Sequence, residues 1–319
     1  RHNDPLEGMS ANEIIRQKIE VGTYAAITGK DRFTGPVLEL LRGLLYDEPE
    51  QRWTVEEIED WLDGQRLNPR QIAKKAKAAR PISFDGKKYL RPSVLGMHLQ
   101  DNISEAAQLV ENGDLALWME RSLEIKEADE FIERASRAAE EQGRGAGYKD
   151  RLISRISILL DPEAPIRFKG LNMRPEGVGY SLVEAMIFNR DLQPYADIII
   201  SQLILFWLEW QNPNRVDSSA LTSRFETCRA YVRQKNMGYG IERCLYILSP
   251  ECPCLSEKLE EYYVSTPEEL MRAFEDMCSK GKPPTTFLDR HIVAFLSFKD
   301  RNIVDPYLVE INSADRHEQ

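Results

Sequence analysis

From Tyr148 to Phe298 the apolar residues recur at helical spacing, and the interruptions carry proline: Asp161-Pro162, Arg174-Pro175, Asn212-Pro213, Ser249-Pro250 and Pro283-Pro284. Proline has no N–H to give a helix and drives the residue before it out of the α region, so each pair ends one helix. The pattern predicts helices near 148–160, 178–190, 194–211, 217–235, 239–248, 267–279 and 285–298. Short connections imply antiparallel neighbours, hence a mainly α fold, an irregular bundle or solenoid. No self-similarity stands out at the 34- to 45-residue periods of helical repeat arrays. The longest apolar run, Ile198 to Leu208, falls short of the roughly 20 residues that cross a bilayer, so it reads as a buried helix.

Residues 4–62 are punctuated by side-chain caps instead. Ser10 with Glu13, and Thr54 with Glu57, have the spacing of a capping box, in which each residue satisfies the other's free N–H. Ile14, Ile15 and Ile19 make the apolar stripe of the first helix, which Gly22 ends. Gly35-Pro36 opens the next, whose face is Val37, Leu38, Leu41, Leu44 and Leu45; Ile58, Trp61 and Leu62 belong to the last, which stops at Gly64. Three helices of this length bury too little surface to stand alone.

The turn between the last two of these helices holds Asp47, Pro49, Arg52 and Trp53. With its capped flanks it resembles the end of the large lobe of a Ser/Thr protein kinase, and Leu6 to Tyr24 is similar to the helix that precedes it there. The resemblance covers roughly a fifth of the chain. It implies a structural role for Arg52, which in that family pairs with the Glu of an Ala-Pro-Glu motif. It also implies a bacterial, cytoplasmic parent protein that uses ATP and magnesium if active. The chain itself has no glycine-rich loop before a lysine-bearing strand, no His-Arg-Asp and no Asp-Phe-Gly, so no catalytic residue and no cofactor is assigned to it. The polar start, Arg1-His2-Asn3-Asp4, reads as a fragment beginning in mid-pattern, without a signal peptide.

The expected organisation is a kinase-like end at 1–64, a basic linker with a hairpin at 65–91, a small helical module at 92–142, a helical accessory domain at 148–300 and a tail at 301–319, loosely ordered beyond Asn312. In the linker, Arg66, Arg70, Lys74, Lys75, Lys77, Arg80, Lys87, Lys88 and Arg91 face one acid, Asp85, and read as a solvated face. Asp85-Gly86 between Ile82-Ser83-Phe84 and Lys87-Lys88-Tyr89 is a type I′ hairpin signal, the one β element expected. Trp118 reads as a core anchor and His98 as a partly buried helix residue. Gly143-Arg144-Gly145-Ala146-Gly147 follows a helix and lacks the Gly-Lys-Ser/Thr ending of a phosphate loop, so it reads as a flexible link. A net charge of −10 argues against nucleic acid and anionic membrane as partners.

Glu242, Cys244, Asp289 and His291 are candidates for a Cys–His–acid hydrolase, against the alternative that they are buried ion pairs tying two helices. Cys252-Pro253-Cys254 has neither the ligand number nor the spacing of a zinc or redox motif and reads as a structural loop. Gly170 to Tyr180 reads as a polar loop. The leading expectation is a helical regulatory or docking domain whose partner is a protein, its own kinase lobe or another. The alternatives are a pseudokinase scaffold and the Cys–His hydrolase.

Overall fold

The computed structural model describes residues 5–29, 33–65, 67, 76–211 and 218–318. Those residues are mainly α-helical, as the periodicity predicts. They divide into two compact units, one of residues 1–98 with 112–128 and one of residues 99–111 with 129–319.

The first unit starts with α1 (Ala11–Val21), whose Ser10–Glu13 capping box is formed, and α2 (Thr23–Thr28). Gly22, at φ 87°, closes α1 and turns the chain into α2. Next come α3 (Gly35–Leu44) and α4 (Val55–Leu62), the latter with its Thr54–Glu57 box intact. These four helices bury little: Ala26 and Thr28 are the buried side chains of α2, and α1 and α4 have none. Ile15 of the expected stripe is exposed. A hairpin of β1 (Ile82–Phe84) and β2 (Lys87–Tyr89) follows, in register Ile82↔Tyr89 and Phe84↔Lys87. Asp85 and Gly86 take φ 48° and 69°, the two positive angles a type I′ turn requires. Phe84 and Tyr89 go under α5 (Pro92–His98), every residue of which is buried. His98 lies against the Tyr89 ring, with centroids 5.7 Å apart. Of the described basic residues here, Lys77, Arg80, Lys87 and Lys88 are exposed, whereas Arg91 is half-buried and donates to the Glu20 carbonyl at 3.2 Å. Arg66, Arg70, Lys74 and Lys75 lie outside the described residues.

In chain order α6 (Ile103–Glu111) belongs to the second unit and α7 (Asp114–Leu123) to the first. Trp118 on α7 is the expected anchor, buried with its indole N–H donating to the Arg80 carbonyl at 2.8 Å.

The second unit continues with α8 (Ala128–Glu140) and α9 (Tyr148–Leu160), nearly all of which is buried. The glycine link between them is tied down by the Arg151 guanidinium, which donates to the carbonyls of Ala139, Gly143 and Ala146. The link expected to be flexible is thus held in place. The side chain that holds it lies outside the glycine stretch. A second hairpin, β3 (Ile166–Phe168) and β4 (Leu171–Met173), packs on α9. It corrects the expectation of one β element, and Gly170–Tyr180 is strand and helix start in place of a loop. Then come α10 (Val178–Ile187), α11 (Gln193–Ile200) and α12 (Leu203–Leu208). The single helix expected over 194–211 breaks because Gln202 adopts a left-handed conformation, φ 54°. Asn212-Pro213 lies outside the described residues.

The core of this unit forms around α14 (Gly240–Leu248), which packs on α10, on α13 (Ser218–Tyr231) and on α16 (Arg290–Lys299). Helix α15 (Pro267–Ser279) precedes α16, capped by Thr266 and Glu269. The chain ends in α17 (Arg301–Val304) and α18 (Leu308–Glu318). The tail expected to loosen beyond Asn312 is helical, because Asn312 itself accepts from the Met237 N–H (2.7 Å) and donates to its carbonyl (3.1 Å).

Candidate functional site

The turn singled out from the sequence has a defined local chemistry. Asp47 Oδ1 accepts from the Thr23 N–H at 2.8 Å, capping α2. Pro49 starts a single 3-10 turn that ends at Gln51. Trp53 is buried against Gly43, where a Cβ would stand 2.2 Å from the indole; only glycine permits this contact. Arg52 is exposed and donates from Nε to the Tyr46 carbonyl at 2.9 Å; no carboxylate pairs with it among the described residues. The turn is therefore a structural clasp with one arginine directed outward.

In the second unit, α14 distributes the hydrolase candidates by its 3.6-residue period. Glu242 and Tyr246, four apart, share the face toward α16, while Cys244, between them, faces α13. The Cys244 thiol donates to the Cys228 carbonyl at 3.4 Å, and both cysteines are fully buried. A hydrogen bond with Cys244, and then burial, push the Cys228 thiol far up. Cys244 is thus not part of the arrangement around His291. A residue two away on a helix cannot share its neighbour's face.

Glu242 instead holds Arg290 through two hydrogen bonds, 2.6 and 2.9 Å, an ion pair between α14 and α16 as in the alternative, but half-buried, with the Arg290 side chain 39% exposed. Burial, the largest single influence, raises the Glu242 carboxyl, but the Arg290 hydrogen bonds and charge, a backbone N–H and His291 together hold it below the usual carboxylate range. Asp289 caps α16, accepting from the Ile292 N–H at 2.9 Å and from the Ser256 hydroxyl at 2.5 Å. Tyr246 accepts from the Leu255 N–H at 3.0 Å, so its own proton is available to His291 Nδ1, 3.2 Å away. In that arrangement the imidazole N–H is at Nε2. Burial lowers the His291 pKa against the pull of Glu242 and Asp289.

Glu242 and His291 line a cavity of about 750 Å³ with Cys254, Ser256, Leu259 and Tyr262. Cys254, and not the expected Cys244, is the cysteine that the fold brings to this site. Its proline neighbour made it look like a plain turn. Burial pushes the Cys254 thiol up to about 11, against a hydrogen bond from the Ser256 backbone, so it is protonated at neutral pH. A neutral imidazole, a protonated thiol and a carboxylate committed to Arg290 form a wall that can hold a ligand. Among the described residues no cluster of His, Cys, Asp and Glu is arranged to hold a metal ion. No helix of the described residues is long and apolar enough to cross a membrane.

No protein-family model, curated protein or solved structure matches this chain.

Proposed function

We propose that residues 1–64 are the closing part of a Ser/Thr protein kinase-like large lobe and that the helical remainder is a regulatory, protein-docking region. The observation that carries this is the Asp47–Trp53 turn. Its tryptophan, glycine and cap serve structure, while Arg52 stands exposed with only a carbonyl for its Nε, poised for a carboxylate elsewhere in a larger lobe. Large apolar side chains on the same helices stay in solvent, among them Val55 at 67% and Leu62 at 69% exposure, as helices made to cover a bigger core would leave them. The cavity beside His291 supports a binding role in preference to a hydrolytic one, since Cys254 is a protonated thiol and Cys244 lies elsewhere.

The test is to read the coding sequence upstream of Arg1. His-Arg-Asp, Asp-Phe-Gly and Ala-Pro-Glu together are the expected result, and the longer protein should then transfer the ATP γ-phosphate to a Ser/Thr substrate with magnesium. Ala-Pro-Glu without the two catalytic motifs makes the parent a pseudokinase scaffold. If none of the three is found, the kinase-like reading is wrong.

A further inference from the structure

The two hairpins are one pattern written twice. Pro81-Ile82-Ser83-Phe84-Asp85-Gly86 and Pro165-Ile166-Arg167-Phe168-Lys169-Gly170 share proline, isoleucine, phenylalanine and glycine in register, 84 positions apart (82 to 166). Their turns match as well, with φ 48° and 69° at Asp85 and Gly86 and 47° and 80° at Lys169 and Gly170. Arg91-Pro92 and Arg174-Pro175 follow, and the third and seventh residues after each proline are buried: Leu95 and Leu99, Val178 and Leu182. Asn112-Gly113-Asp114-Leu115 then answers to Asn189-Arg190-Asp191-Leu192, with six fewer residues leading up to it in the second case.

A second block repeats in the same order. Arg155 on α9 and Arg243 on α14 are both buried, and each is followed, seven residues on, by Pro-Glu-x-Pro: Pro162 to Pro165 and Pro250 to Pro253. After Pro165 comes the second hairpin. After Pro253 a third is due, and its frame persists. The Cys254 N–H donates to the Val264 carbonyl at 2.8 Å, Thr266-Pro267 takes the Arg-Pro place, and Leu270 and Phe274 occupy the third and seventh positions, both buried. Strands do not form here; the longer segment makes a 3-10 turn at Glu257–Leu259 and becomes one wall of the 750 Å³ cavity. In the first two places this segment is a hairpin; in the third it has no strands, although Cys254, Leu259 and Val264 are buried.

The cavity side of this segment has a definite charge. Arg190 is held by Glu184 at 3.1 Å and Glu242 by Arg290, whereas Glu257 and Glu260 are exposed and no cation pairs with either among the described residues. Apolar surface adjoins them: Ile187, also lining the cavity, is 58% exposed and Tyr263 is 74% exposed. A volume of 750 Å³ takes two or three side chains and not a folded surface.

We propose that residues 81–299 are three tandem copies of one module and that the cavity walled by the third copy's altered segment, Cys254–Val264, docks an extended peptide of a partner in which basic residues alternate with apolar ones. This rests on the docking role proposed above.

Fluorescence anisotropy of the full chain with a fluorescein-labelled peptide of alternating lysine and leucine tests it. Saturable binding is expected, weakened at least about tenfold in the Glu257→Lys/Glu260→Lys variant and unchanged in the charge-matched Glu59→Lys/Glu120→Lys variant. No binding, or equal loss in both variants, overturns the docking site. A chimera in which residues 166–173 replace 254–264 is expected to melt cooperatively and to lose the peptide. If the chimera has no cooperative transition while both charge variants fold, the third-copy assignment is overturned. Neither readout depends on what lies upstream of Arg1, so the kinase-like reading can fail while this site stands.

Discussion

Arg243 donates to the Gly238 and Ser297 carbonyls and to Asp305, and its guanidinium lies 4.3 Å from the Tyr231 ring centroid. Its side chain is 2% exposed while that of Asp305 is 30% exposed. Replacing Arg243 with alanine leaves two buried carbonyls without a donor and opens space under the tyrosines, with part of the Asp305 charge still solvated. A loss of about 3 kcal/mol is expected in denaturant unfolding of the full chain, against about 1 kcal/mol for Asp305→Asn. His291 gives a pH signature. Its folded pKa lies below the ordinary 6.5, so between the two values the unfolded chain binds the extra proton. The stabilising contribution of His291 is therefore complete above that window and falls as pH drops through it. Melting curves between about pH 7.5 and 5 should show this fall, flattened in His291→Gln. Glu242 was legible as a residue tying helices together, because charges beside an apolar run need partners; Asp289 was not, since it caps α16 and holds the Ser256 hydroxyl, with no ion pair among the described residues. Which cysteine joined His291 was not legible. That depends on which face of α14 meets α16, a tertiary fact.

At the scale of elements, the α3–turn–α4 clasp depends on one missing methyl. A Cβ on Gly43 would enter the Trp53 indole, so Gly43→Ala should cost about 2 kcal/mol by overpacking and be seen as loss of the buried Trp53 emission. The capping boxes at Ser10, Thr54 and Thr266 form as local spacing dictates, and the first hairpin was legible because Asp-Gly announces its turn. The second was missed because Lys169-Gly170 has the same backbone with a less telling first residue. The break at Gln202 had no signal either, since neither glycine nor proline marks it.

At the scale of the whole molecule, helical content follows from patterning, but the division into two units does not follow the chain. Residues 99–111 join the second unit and 112–128 the first, which no linear reading of linkers would yield. The apolar side chains left in solvent on α3 and α4 should bind a hydrophobic dye such as ANS. Val55→Ser with Leu62→Ser should reduce that signal while changing stability by no more than about 0.5 kcal/mol. A dye signal unchanged by both substitutions would place the sticky surface elsewhere.

The matching hairpins have a consequence in time. A two-residue turn lets a hairpin close in roughly 1–10 μs, whereas a ribosome adds roughly 5–20 residues each second. The 84 residues from Ile82 to Ile166 therefore take several seconds or more to appear. The earlier hairpin is zipped long before its near-twin leaves the exit tunnel. Look-alike strands able to trade partners are kept apart by the order in which they are made. Refolding from denaturant, where both are present at once, removes that protection.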